Sequence, residues 1–166
     1  MMLPVSISYS DLTSDTDLSE KIQRAFGQDG LGLIVVTDIP EYIEARAHCL
    51  PLGFRFGNLP EDVKSKYEDP ASTFSFGWSH GKEKMSGGMP DVAKGSYYAN
   101  PTFDVPSEDA EEIAKFPSFF RQNIWPDQDL PNFSTSFKTL SSIIVRTGLL
   151  LSKSIDSFVD SKQPHY

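Results

Sequence analysis

The chain has 166 residues, 39% of them hydrophobic and 12% aromatic, with a formal net charge of −8. That length and apolar fraction suit one packed domain, while the acidic balance and the lack of a Lys/Arg cluster argue against a nucleic-acid partner. A single cysteine, Cys49, rules out an internal disulfide framework and fits a reducing compartment. The start MMLPVSISYS lacks a charged segment followed by an apolar run, and Asp38, Arg146 and Lys153 interrupt the apolar stretches. No signal peptide and no membrane partner are therefore expected, and the expected location is cytoplasmic.

Val5, Ile7 and Tyr9 alternate with Ser6, Ser8 and Ser10, which predicts a short strand with one buried face. Asp15-Thr16-Asp17 offers oxygens to free helix amides, and Asp17 with Glu20 resembles a capping box. Leu18, Ile22, Ala25 and Phe26 follow at helical spacing, and Gly27 and Gly30 end the pattern, predicting a helix over about 17–28. Leu31 to Val36 is a continuous, β-branched apolar run, predicted as a buried strand. Gly27, Gly30 and Gly32 follow a helix and open a strand, the reverse of a dinucleotide fingerprint.

Pro40 suits a first helical turn, and Ile39, Ile43, Ala47 and Leu50 then repeat every three or four residues. Pro51 is expected to kink or end that helix. His48 and Cys49 are sequence neighbours, and such neighbours on a helix do not face each other, so the pair reads as ordinary helix residues. Asn58-Leu59-Pro60-Glu61-Asp62 opens another, short helix that stops by Asp69-Pro70.

Phe74 to Pro101 reads FSFGWSHGKEKMSGGMPDVAKGSYYANP, with aromatic clusters at Phe74, Phe76, Trp78 and at Tyr97, Tyr98. Gly87, Gly88 and Pro90 lie between them, predicting strand, wide turn, strand. The mixture of small, polar and aromatic residues suits a substrate-pocket wall, and it equally suits one well-packed hairpin. Thr102 to Lys115 is polar and acidic and reads as a surface loop with one helical turn. Phe116, Phe119 and Phe120 are expected to point inward on a short helix opened by Pro117, and Trp125 to be a buried anchor in a rigid connector.

The last element is the longest. Phe133, Phe137, Leu140, Ile144, Thr147, Leu151, Ile155 and Phe158 step by three or four, predicting one amphipathic helix over about 132–160. At ~1.5 Å per residue it would span on the order of 40 Å, more than a small domain needs for itself.

GWSHGKEK followed by KGSYYANP resembles the N-terminal region of the isopenicillin N synthase-like oxygenases, a family of non-haem iron enzymes mostly dependent on 2-oxoglutarate. Weaker pieces support it in order: Pro4-Val5-Ser6-Ile7, Gly30 to Val36, Leu59-Pro60-Glu61, Asn123-Ile124-Trp125-Pro126 and Leu130-Pro131. The resemblance implies an α+β fold of helices, a few short strands and a hairpin. This would be the N-terminal half of a double-stranded β-helix (jelly-roll) oxygenase with an incomplete barrel. Residues 1–166 would form one non-haem dioxygenase N-terminal domain, with its motifs in about 4–120 and the helix at about 132–160 packing on a barrel outside this chain. Matching the family's first aromatic strand implies substrate-pocket roles for Ser75, Trp78, Ser79 and His80, with Lys94 and Tyr97 on the returning strand. In isopenicillin N synthase itself an arginine stands at the position of Ser75 and meets a substrate carboxylate, a contact serine cannot make.

The family's metal is held by two histidines and one carboxylate. His48, His80 and His165 are the histidines here, and none has Asp or Glu two residues on. Neither Arg121 nor Arg146 opens the Arg-x-Ser pattern of the family's 2-oxoglutarate clamp. The expectation is therefore an N-terminal part with no cofactor of its own, inactive alone, whose Fe(II) and 2-oxoglutarate sites would lie beyond Tyr166. Its partners would be a small-molecule substrate in a full-length form and a second copy through the helix at about 132–160. The alternatives are a non-catalytic interaction or regulatory module and a truncated remnant of the family.

Overall fold

The computed structural model describes residues 3–162. The chain divides into two compact units, one formed by the chain up to Glu44 together with the chain from Ile143, the other by Ala45–Ser142. The described residues are mixed α and β, with two two-stranded sheets and no closed barrel.

In the first unit, β1 (Val5–Ser8) pairs in parallel with β2 (Ile34–Thr37), Val5 opposite Ile34 and Ser8 opposite Thr37. The strand predicted to reach Tyr9 stops one residue earlier, because α1 (Tyr9–Thr13) starts there. Ser8 caps it: its Oγ accepts from the Asp11 amide at 3.1 Å, and Asp11 Oδ2 accepts from the Ser8 amide at 3.4 Å. A reciprocal cap satisfies two free amides at once, which outweighs the two-residue alternation. The box predicted at Asp17 and Glu20 is absent from its place. Asp17 instead accepts from the Ser19 amide at 2.9 Å, and α2 (Ser19–Phe26) begins after it.

Ile7, Leu12, Leu18 and Ile22 form the core of this unit, with Ile34 and Val36 of β2 packed on it. The run Leu31 to Val36 is expected as one buried strand, yet the strand begins only at Ile34, and Leu31, Leu33 and Val35 are 44–46% exposed. A two-stranded sheet covered on one face buries only alternate residues.

The second unit holds nearly all of α3 (Tyr42–Gly57), then α4 (Glu61–Lys64), a 3-10 turn at Ser65–Tyr67 and another at Pro70–Ser72. Pro51 lies inside α3 and does not end it. An interior proline costs ~3 kcal/mol, and the six residues beyond it include Phe56, which is 1% exposed at the centre of the core. The predicted stripe of Ile43, Ala47 and Leu50 does not face that core: Ile43 is 84% and Leu50 48% exposed. The buried stripe is Ala45, Leu52 and Phe56, seven and four residues apart.

β3 (Gly77–His80) and β4 (Gly95–Tyr98) form an antiparallel hairpin in which Trp78 lies opposite Tyr97 and Ser79 opposite Ser96. α5 (Ala110–Lys115) is capped by Asp109, and α6 (Pro117–Phe120) opens on its proline. Phe116 and Phe119, expected inward, are 44% and 69% exposed. Trp125 is only half-buried, and the buried residues of its connector are Asn123 and Pro126.

α7 (Phe133–Lys162) contributes its first ten residues to the second unit and the rest to the first. Its stripe is better covered than its length suggested. Phe133 and Phe137 join the aromatic core of the second unit, while Leu150, Leu151, Ile155 and Phe158 pack on the core of the first. Ile144, Leu149 and Val159 stay more than 40% exposed. Among the described residues no helix is long and apolar enough to cross a membrane.

Candidate functional site

Strand alternation sends the residues of β3 to opposite faces. Trp78 and His80 lie on one side, Ser79 on the other, and β4 follows suit with Tyr97 against Trp78. The Trp78 side meets α3. Phe56 takes edge contacts from Tyr67, Trp78 and Tyr97 at ring separations of 5.8, 5.3 and 5.0 Å, the tilted arrangement aromatic rings prefer. The Trp78 ring also covers Gly95, where a Cβ would come within 2.2 Å of it. Only glycine fits beneath that ring.

Tyr97 is thus a core residue. Its hydroxyl donates to the Ile124 carbonyl, and burial holds its phenol well above the usual range. Tyr67 donates to Asp129 Oδ2 at 2.5 Å, and burial, helped by that carboxylate, pushes its phenol up to about 12. Beside them runs a groove of about 290 Å³ lined by Phe54, Lys64, Trp78 and His80. Lys64 is 6% exposed, with Nζ bound to Glu61 Oε1 at 2.6 Å and to the Gly57 carbonyl at 3.1 Å. His80 Nε2 lies 3.0 Å from the Val92 carbonyl across the hairpin. Trp78 Nε1 is buried without a hydrogen-bond partner, the one such side-chain atom among the described residues.

The opposite face carries a second cavity, of about 240 Å³, lined by Thr73, Phe74, Ser75, Ser79, Lys82, Glu83 and Tyr98. Its floor is the loop from Asp69 to Phe76, where Thr73 and Phe74 both hold positive φ, 56° and 60°. Such backbone costs ~1–3 kcal/mol per residue and persists only where the surroundings impose it. Here they do. Ser72, fully buried, donates its hydroxyl to the Asp69 carbonyl at 2.9 Å and accepts from the amides of Ser75 and Phe76 at 3.1 and 3.2 Å. Asp69 is in turn bound by the Arg121 guanidinium, and Ser118 Oγ donates to the Ser72 carbonyl at 2.9 Å.

The charges around this cavity are already paired. Lys82 lies 3.0 Å from Glu68, over the Phe74 ring. Glu83 holds Lys94 at 2.7 Å and accepts from the Tyr98 hydroxyl at 3.1 Å. The Lys94 bond keeps the Glu83 carboxyl below its ordinary value and, reciprocally, the Lys94 ammonium above its own.

Of the six residues singled out in the sequence, the structure brings Ser75 and Ser79 to one cavity and Trp78 and His80 to another. Tyr97 is in the core between strands and helix, and Lys94 lies outside both cavities, paired with Glu83. Thr73, Phe74, Lys82, Glu83 and Tyr98 also line the Ser79 cavity and are not among the six. Period-two spacing from Ser79 across the hairpin would have reached Tyr98, since Tyr98 shares the face of Ser96 and Ser79. No local signal marks a threonine for left-handed backbone.

Among the described residues no three His, Cys, Asp or Glu side chains are grouped to hold a metal. His48 is on α3, and burial raises the Cys49 thiol above its ordinary range. His165 lies outside the described residues. Among the described residues, His48 and His80 are not grouped with a carboxylate as a two-histidine, one-carboxylate iron centre requires. No protein-family model matches the chain, and neither the curated proteins nor the solved structures contain a match.

Proposed function

We propose that this chain is the N-terminal, non-metal-binding part of an Fe(II)/2-oxoglutarate-dependent oxygenase-like protein of the isopenicillin N synthase-like family. In a full-length form it supplies structure and part of a substrate pocket, and alone it is inactive. On this reading its fold is the N-terminal half of a jelly-roll oxygenase, and the iron and 2-oxoglutarate sites belong to the part that follows. The observation carrying the proposal is the β3–β4 hairpin, whose GWSHGKEK and KGSYYANP motifs bear the resemblance and whose Ser75 and Ser79 line a cavity beside strained backbone.

A second reading, a non-catalytic interaction module, draws support from α7. Much of its apolar stripe is covered by the chain's own two cores, as an independently folding module requires. Mapping the 3′ end of the transcript separates the two. A frame that continues past Tyr166 into a His-x-Asp motif, a later histidine and an Arg-x-Ser strand supports the oxygenase part. A message whose frame stops at Tyr166 in every isoform overturns it in favour of the module.

A further inference from the structure

We infer that the cavity on the Ser79 face of the hairpin binds a neutral, hydroxyl-bearing small molecule. The inference rests on the pocket-wall reading above and names the ligand class that wall accepts.

Three observations carry it. The first is an unspent hydroxyl. Ser79 is 6% exposed and lines the cavity, and its side chain makes no hydrogen bond to any described residue. Its Oγ is not among the fully enclosed polar atoms, so it opens into the cavity. That hydroxyl is free to bond whatever enters the cavity, and a ligand hydroxyl that displaces water from it reproduces the water's hydrogen bond while burying its own carbon frame. Ser75 lines the same space, and its hydroxyl too is without a bond among the described residues. Each serine can both donate and accept, which matches the dual character of a ligand hydroxyl.

The second observation is charge. Lys82 is held by Glu68, and Glu83 by Lys94 and Tyr98. An anionic or cationic ligand would have to break an existing ion pair to form its own. A neutral ligand leaves both intact. The third is shape. At about 240 Å³ the cavity is smaller than a typical drug-sized site, and the rings of Phe74 and Tyr98 give it apolar walls for the C–H face of a small ring. The left-handed Thr73 and Phe74 set that wall in place, and such strain gathers at ligand sites.

Amide chemical shifts of the full chain, titrated separately with myo-inositol, succinate and 1,4-diaminobutane, test the inference. The expected result is saturable movement of the Phe74–Gly81 and Ser96–Tyr98 amides with myo-inositol alone. Ser79→Ala should weaken that binding by roughly five- to tenfold, the loss of one neutral hydrogen bond, and Ser75→Ala should weaken it independently. Both variants keep the backbone, and an unchanged amide spectrum outside the hairpin establishes that they fold. Saturable movement of the same amides with succinate or the diamine overturns the neutral class and leaves the pocket wall standing. No response to any of the three, or a myo-inositol response indifferent to both substitutions, overturns the inference together with the pocket wall.

Discussion

Replacing Ser72 with alanine removes one oxygen and three hydrogen bonds. The hydroxyl donates to the Asp69 carbonyl at 2.9 Å and accepts from the Ser75 and Phe76 amides at 3.1 and 3.2 Å, all at a residue with 0% exposure. The Phe76 bond is itself buried, so that amide cannot turn to water without moving the strand entry. A buried donor left without a partner costs ~1–3 kcal/mol. Two such donors set a ceiling of about 6 kcal/mol, reached only if the loop stays in place. The loop has a reason to move, because Thr73 and Phe74 sit in left-handed backbone that the same hydroxyl helps enforce. Relaxing one of the two returns ~1–3 kcal/mol. The net loss expected is ~2–4 kcal/mol, a large share of the ~5–15 kcal/mol that holds an ordinary domain together. Urea unfolding reads the loss, and hydrogen exchange locates it: the Ser75 and Phe76 amides should lose protection before the rest of the hairpin. Ser118→Ala is the contrast, since its bonds to Thr73 and to the Ser72 carbonyl lie at a more open edge, and it should cost under ~1 kcal/mol. A Ser72→Ala protein within ~0.5 kcal/mol of wild type, with both amides still protected, would refute the reasoning.

Gly95→Ala places a Cβ within 2.2 Å of the Trp78 ring, so the ring must shift away from Phe56; the expected cost is ~1–3 kcal/mol with a changed tryptophan emission, and an unchanged spectrum and midpoint would count against the packing described. Alkaline titration followed by tyrosinate absorbance should show Tyr67 and Tyr97 silent through pH 10 among the six tyrosines. Both phenols have folded values above the ordinary one, so their contribution is complete below pH 10 and stability declines as pH rises from 10 toward about 12; six tyrosines titrating together in a folded protein would contradict it. If the chain self-associates through α7, sedimentation should show a concentration-dependent species that Leu149→Glu diminishes, because Leu149 is the most exposed large apolar residue on that helix at 65%. Identical sedimentation of the two proteins would exclude that face.

Much of the element layout was legible in the residues themselves. The period of Phe133 to Phe158 marked α7, Pro60 with its following acids marked α4, and the glycines between the aromatic clusters marked the hairpin. These signals are local: a helix period, a fixed proline φ and a glycine turn act within a few residues and need no distant partner. The assignment of faces was not legible. α3 carries two apolar stripes, and only the shape of the facing core selected Leu52 and Phe56 over Ile43 and Leu50. The same holds for the site. Ser75, Trp78, Ser79 and His80 are near neighbours in sequence, yet the pleat and the packing of Phe56 divided them between two cavities, and Ser72 forced Thr73 and Phe74 into backbone their own side chains disfavour. Burial and strain depend on which surfaces arrive from elsewhere in the chain, and that is decided only when the tertiary structure forms.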